Sequence, residues 1–320
     1  MSRRNLSGKE DYRRTSTFSD EENIINIFRI MCPRVYKFCP DNKSPFVKRL
    51  NNTIVNEARW SQWVNNSGNT NKPPDYYNDR EKLMMEVMRV DHYMFMDKKG
   101  KPHNKNAENI AKVVKELIND GKESFLENNL IIGAVETEDH ESEYNYKQYL
   151  ESFKRVLKHH IDMIPNYRAN YPGYKLIFMI FDESSSYGIA RDQSELSNGH
   201  FKPKMFDDHV YHFPCMDEKF FSVIRDIDVD QIIWLAPFKS ITTNVGPMPD
   251  CQLMIIDPHI EIETIEYDPE QVICLESPGG NKDMPFSLVY KGMRIFFFPK
   301  DPKSLLEGDY YPQWCDNGQL

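Results

Sequence analysis

Leu130–Val135 reads LIIGAV and Lys175–Phe181 reads KLIFMIF; between them lies Tyr144–Ile164, YNYKQYLESFKRVLKHHIDMI, followed by Pro165. The two outer runs are short, apolar and rich in Ile and Phe, as strands buried on both faces are. The middle segment is long enough for a helix, and Pro165 is expected to stop it. Strand, helix and strand with short connections make a βαβ unit at 130–181, whose two strands should run parallel in one sheet. Gln231–Ala236 (QIIWLA) and Gln252–Ile256 (QLMII) are runs of the same kind and are expected to extend that sheet. The fold class is therefore α/β with a central, mostly parallel sheet.

Before this stretch the pattern turns helical. Ser19-Asp20-Glu21-Glu22 reads as a capping box ahead of Ile24, Ile25, Ile27 and Phe28, and Pro33 closes that helix. Pro45–Val64 places Val47, Leu50, Ile54 and Ala58 at helical spacing. Lys82–Phe95 supports two readings. A capping box at Asn78–Glu81 and its Leu, Met and Glu residues favour a helix, whereas a nearly unbroken apolar run suits a buried strand; the helix is the expectation taken. Ala107–Asn119 carries Ile110, Val113, Val114, Leu117 and Ile118 on one stripe, with Gly121 beyond its end.

After the central runs the chain is β-rich. EIETIEY at Glu261–Tyr267 alternates like a partly exposed strand, and Lys291-Gly292 between two apolar runs signals a hairpin. The organisation expected is a tail at 1–18, one α/β domain at 19–300 (helical over 19–121, sheet core over 129–300), and a tail at 301–320 with a docking contact from Trp314. The long polar stretch Ser184–Asp208 reads as either a functional loop or a partly disordered one, and it is the place for a lid if the protein has one.

The chain has 320 residues and a net charge of -9, which argues against a protein coated in nucleic acid, although a local basic groove can sit on an acidic body. Its six cysteines form no CxxC pair and read as reduced thiols of a cytoplasmic protein. The N-terminus lacks the apolar stretch of a signal peptide, and no apolar run is long enough for a membrane span.

Chemistry is expected at the strand ends. In a βαβ unit both strands point their C-terminal ends at one sheet edge, where ligands bind in open α/β sheets. The first strand runs into Glu136-Thr137-Glu138-Asp139 and the second into Asp182-Glu183. Carboxylates packed at one edge repel unless a cation lies between them, and oxygen ligands suit Mg2+ or Mn2+. Glu136, Asp182 and Glu183 are the predicted metal ligands.

Two resemblances bear on this. The order of elements resembles the PD-(D/E)XK nuclease core: a helix carrying Glu, strands carrying Asp and Glu-x-Lys, then a helix and a strand. On that resemblance Glu57 falls on the first helix, Asp91 ends LMMEVMRVD, Glu136 ends the next strand, and Glu138 stands where the family has lysine. Lys147 or Lys154 of the following helix then supplies the lysine. Pro74-Asp75 is present in a loop, and Ala107–Asn119 counts as an insertion. Glu136 with Asp182 and Glu183 also resembles a TOPRIM-type site, without that site's Asp-x-Asp. Both resemblances imply metal-dependent cleavage of nucleic-acid phosphodiesters, with Glu57, Asp91, Glu138 and Lys147 assisting catalysis.

Other constellations argue less. No GxGxxG or GxxxxGK[ST] is present, and Ser184–Ser186 lacks a nucleophile elbow. Asp208-His209-x-x-His212 lacks clean zinc spacing, and His159 and His160 fit a helix C-terminus. Trp60, Trp63, Tyr76 and Tyr77 are either core anchors or a clamp on a single strand. The rival to a nuclease is a non-catalytic adaptor that binds a protein partner; a hydrolase or transferase for a small phosphorylated molecule, using the same carboxylates, is a third reading.

Overall fold

The computed structural model describes residues 21–32, 37–66, 74–90, 94–96, 102–136, 146–183, 187–190, 205–206, 209–236, 242–243, 246–247, 253–275 and 287–300. In chain order the elements used below are α1 (Glu21–Met31), β1 (Lys37–Phe38), α2 (Pro45–Val55), α3 (Glu57–Trp60), β2 (Val64–Asn65), β3 (Tyr76–Asn78), β4 (Leu83–Val90), α4 (Lys105–Asn119), α5 (Glu123–Asn128) and β5 (Asn129–Glu136). There follow α6 (Tyr146–Asn170), β6 (Lys175–Asp182), β7 (Tyr187–Ala190), β8 (Met205–Phe206), β9 (His209–Tyr211), α7 (Glu218–Ile224), β10 (Gln231–Leu235), β11 (Leu253–Ile256), β12 (Val272–Leu275), β13 (Ser287–Tyr290) and β14 (Met293–Pro299). The chain is α/β and divides into two compact units: a larger one from 25–94 and 143–278, and a smaller one from 1–24, 95–142 and 279–320.

The larger unit holds a seven-stranded sheet in the order β1-β11-β10-β6-β4-β3-β2. Its centre, β4-β6-β10, is parallel, while β11 pairs antiparallel with β10, and β2, β3 and β4 form an antiparallel meander. The parallel character expected from the sequence is thus confined to the centre and to the β1–β11 pair. One face of β4, β6 and β10 packs Met84, Met88, Phe178, Ile180, Ile232 and Trp234 into a single core with α6 and α7. The alternate residues, Met85, Val87, Ile177, Met179, Ile233 and Leu235, are buried too. Burial on both faces explains why these strands lack polar alternation. It also explains why Leu83–Val90, within the segment expected to be a helix, forms strand β4: tertiary burial overrides the propensity of Leu, Met and Glu.

Helix α6 corrects a second expectation. Pro165 lies inside it and does not end it. An interior proline costs about 3 kcal/mol or more by removing a backbone hydrogen bond. The last turn is held from outside: Tyr167 is buried, and the Arg168 guanidinium donates to the carbonyls of Tyr174 (2.8 Å) and Asp228 (2.9 Å) and pairs with Asp230 at 3.2 Å.

The smaller unit explains why the βαβ reading fails. Its three-stranded sheet has the order β13-β14-β5, all antiparallel. Strand β5 pairs with β14, a strand from the far end of the sequence, and not with β6. Helix α4 ends as its sequence predicts. Gly121 has φ +70°, its N–H donates to Ile118, and Lys122 N–H donates to Leu117, which closes the helix with two reciprocal bonds. Lys291 and Gly292, at φ 49° and 75°, make the predicted two-residue hairpin turn.

Glu261–Tyr267 forms no ladder; it is held by one bridge, Asp217 to Ile265, with Ile262, Ile265 and Tyr267 buried. A further sheet, β8-β9-β7-β12, also belongs to the larger unit. Trp314 and most of Ser184–Asp208 lie outside the described residues. Among the described residues, no helix is long and apolar enough to cross a membrane.

Candidate functional site

The predicted ligands fall into different units. Glu136 ends β5 in the smaller unit, half-exposed, 3.6 Å from Lys112. Asp182 and Glu183 end β6 in the larger unit. Their strands are not paired, so the shared sheet edge that grouped these carboxylates does not exist. Lys147 forms an exposed ion pair with Glu270. Asp91 and Glu138 lie outside the described residues, as does the side chain of Glu57, whose backbone begins α3.

Asp182 is fully buried beneath the start of α6, where it accepts from the Tyr149 hydroxyl and from Trp234 Nε1 at 3.3 Å. Glu183 pairs with Arg89 at the end of β4. A second buried carboxylate, Asp217, caps α7 by accepting from Lys219 N–H at 2.8 Å. Its other oxygen accepts from the Tyr146 hydroxyl and lies 2.7 Å from His212 Nε2. Burial and the Asp217 carboxylate push the Tyr146 phenol pKa far up, so it stays a donor. His212 thus orders the core. His200, Asp207 and Asp208 lie outside the described residues.

A different acidic pair comes together where β3 meets β4. Asp75 directly precedes β3, and the antiparallel register continues Tyr76↔Met85 to Asp75 opposite Glu86. Asp75 N–H donates to Glu86 Oε2 at 3.2 Å, and Val87 N–H donates to Asp75 Oδ2 at 2.9 Å. Glu86 points to the α6 side of the sheet, where His160 Nδ1 lies 3.1 Å from Oε1. The Tyr167 hydroxyl also bonds Glu86; burial first, then the Glu86 and Asp75 charges, raise that phenol's pKa. His160 therefore lies mid-helix on a carboxylate, not at a helix C-terminus as its sequence suggested. Glu86 is only 8% exposed, in a strand whose other inward residues are apolar.

The sequence offers Pro74-Asp75 as a loop pair and puts Asp91 and Glu136 in the acidic roles. The signal for Glu86 was a lone carboxylate inside the apolar run LMMEVMRV, the kind of buried charge that needs partners. The aromatic residues Trp60, Trp63 and Tyr76 pack on one another, with centroids 5.7 and 5.4 Å apart; Trp63 and Tyr76 are buried, which makes them anchors of the core.

Among the described residues, no group of three or more His, Cys, Asp and Glu is placed to hold a metal ion. Asp75 and Glu86 supply two oxygen ligands, the number Mg2+ commonly takes from protein when water and substrate phosphates complete its shell. They match such an ion in chemical type, but both Glu86 oxygens already have partners, Oε1 in His160 and Oε2 in the Asp75 N–H, and His160 has to give way for an ion to reach Oε1. No protein-family model, curated protein or solved structure matches the chain.

Proposed function

We propose that the larger unit is a divalent-metal-dependent, nuclease-like hydrolase of nucleic-acid phosphodiesters, with Asp75 and Glu86 as its acidic pair. The observation that carries this reading is their juxtaposition across β3 and β4. The order of elements supports it: helices α2 and α3, strands β2 to β4, helix α6 and strand β6 follow the order of the nuclease core that the sequence resembles. Pro74-Asp75 and Glu86-Val87-Met88 then fall where that core carries Asp and Glu-x-Lys, with Met88 replacing lysine. Mg2+ or Mn2+ at this pair supplies Lewis-acid charge and a more acidic water. Asp75 and Glu86 would hold the ion, with His160 displaced from Glu86 Oε1 and the Tyr167 hydroxyl still fixing Glu86 from α6. Hydrolysis joins the water oxygen to phosphorus, breaks the bond to the leaving sugar oxygen, and returns a proton to that oxygen.

One observation favours the adaptor reading. Met88 is buried in the core, and Glu86 is already bonded by His160, Tyr167 and a backbone N–H. The same experiment separates the two. Thermal stability with and without Mn2+, and cleavage of single-stranded and duplex DNA and RNA, are measured for the wild type, Glu86→Gln and Glu136→Gln. Wild type and Glu136→Gln should be stabilised by Mn2+ and cleave; Glu86→Gln should do neither. A folded Glu86→Gln that cleaves normally overturns the assignment. A wild type that neither cleaves nor responds to Mn2+ favours the adaptor.

A further inference from the structure

The acidic pair shares its sheet face with a group of tyrosines. Tyr77 follows Asp75 by two residues and pairs with Met84, whose side chain lies in the core beneath α6. The Tyr77 ring lies 4.9 Å from that of Tyr171, tilted by 38°. Tyr171 stands one turn beyond Tyr167, the residue that bonds Glu86, and its N–H donates to the Tyr167 carbonyl. The next ring, Tyr174, lies 5.3 Å from Tyr171. Over it, at 4.8 Å, sits the ammonium of Lys82, 3.2 Å from its hydroxyl. Tyr77 and Tyr171 are half-buried and Lys82 is exposed. Lys82 also holds φ +52° in the β3–β4 turn, a left-handed conformation that side chains rarely adopt.

We propose that this corner is a base-stacking subsite for an unpaired strand of nucleic acid. One nucleobase stacks on the accessible part of the Tyr77–Tyr171 pair, Lys82 meets the adjoining phosphate, and the neighbouring phosphodiester is delivered to Asp75 and Glu86. The inference rests on the hydrolase reading and narrows its substrate to single-stranded or frayed nucleic acid, because a duplex hides the base faces that aromatic rings recognise. Asp75 and Tyr77 are two positions apart along extended chain, so they lie within roughly 7 Å of one another.

Binding is measured by fluorescence anisotropy with labelled single-stranded and duplex oligonucleotides in EDTA, so that no cleavage intervenes. The wild type should prefer the single strand. Tyr171→Leu should weaken binding about 5- to 150-fold, the range for one stacked base, and Tyr171→Phe, which restores the ring, should recover most of that loss. Equal affinity for single strand and duplex, or a Tyr171→Leu protein that binds like wild type, overturns the proposal. Photocrosslinking the wild type to an iodouracil-bearing single strand does not depend on a variant's folding: adducts at Tyr77 or Tyr171 support the subsite, and adducts only elsewhere overturn it. Tyrosine-dependent binding without cleavage in Mn2+ sinks the hydrolase reading alone. Cleavage without tyrosine-dependent binding sinks the subsite alone.

Discussion

Asp217→Ala should be among the most damaging single substitutions in the larger unit. The carboxylate is fully buried and serves three donors at once. Removing the cap it gives to α7 costs about 1 kcal/mol. The Tyr146 hydroxyl and His212 Nε2, both 2.7 Å from Oδ2, are then left buried without that acceptor, at about 1–3 kcal/mol each. These effects share one site and do not simply add, so a loss of about 4 kcal/mol is expected. That is a large part of the ~5–15 kcal/mol typical of a folded domain. The damage also reaches the candidate site, because Tyr146 is the first residue of α6, the helix that carries His160 and Tyr167. Urea unfolding followed by tryptophan fluorescence reports mainly on the relevant unit, since Trp60, Trp63 and Trp234, three of the chain's four tryptophans, belong to it. Asp217→Asn keeps a capping oxygen and should fall between wild type and alanine. Tyr146→Phe should lose about 1 kcal/mol. A loss below about 1 kcal/mol for Asp217→Ala would refute the account of this network.

Two more outcomes follow from local geometry. Gly121→Ala should destabilise the smaller unit by about 1 kcal/mol in thermal unfolding, from backbone strain at φ +70° alone, because an added Cβ would meet no atom within 4 Å; an unchanged melting temperature would contradict this. Glu218 has its pKa lowered chiefly by hydrogen bonds from Arg225, then from Thr264. Its contribution to stability is therefore complete above the ordinary glutamate range near ~4.3 and is lost as pH falls through its lowered folded value. Arg225→Ala should cost less than about 1 kcal/mol at neutral pH, since the pair is partly exposed, and the difference from wild type should vanish in acid. A difference that grows on acidification would reverse the sign assigned here.

Much of the fold was legible where the cause is local. The stripe of α4 and its Gly121 stop, the Lys291-Gly292 turn, and the apolar strands β6, β10 and β11 each follow from residues adjacent in sequence, because caps, turns and periodicity act over a few positions. The sequence alone also determined the α/β class, through short apolar runs alternating with helical segments. What required tertiary structure was partner choice. LIIGAV could pair with any strand, and it pairs with β14, over 150 positions further on, because side-chain pattern marks a strand without naming its neighbour. LMMEVMRV could be helix or strand until burial on both faces decided it. Pro165 ended α6 on paper and not in space, since Arg168 and Tyr167 anchor the turn beyond it. The acidic pair depended on the same step: Asp75 and Glu86 are 11 residues apart, and only the β3–β4 register, with α6 laid across it, brings Asp75, Glu86, His160 and Tyr167 to one place.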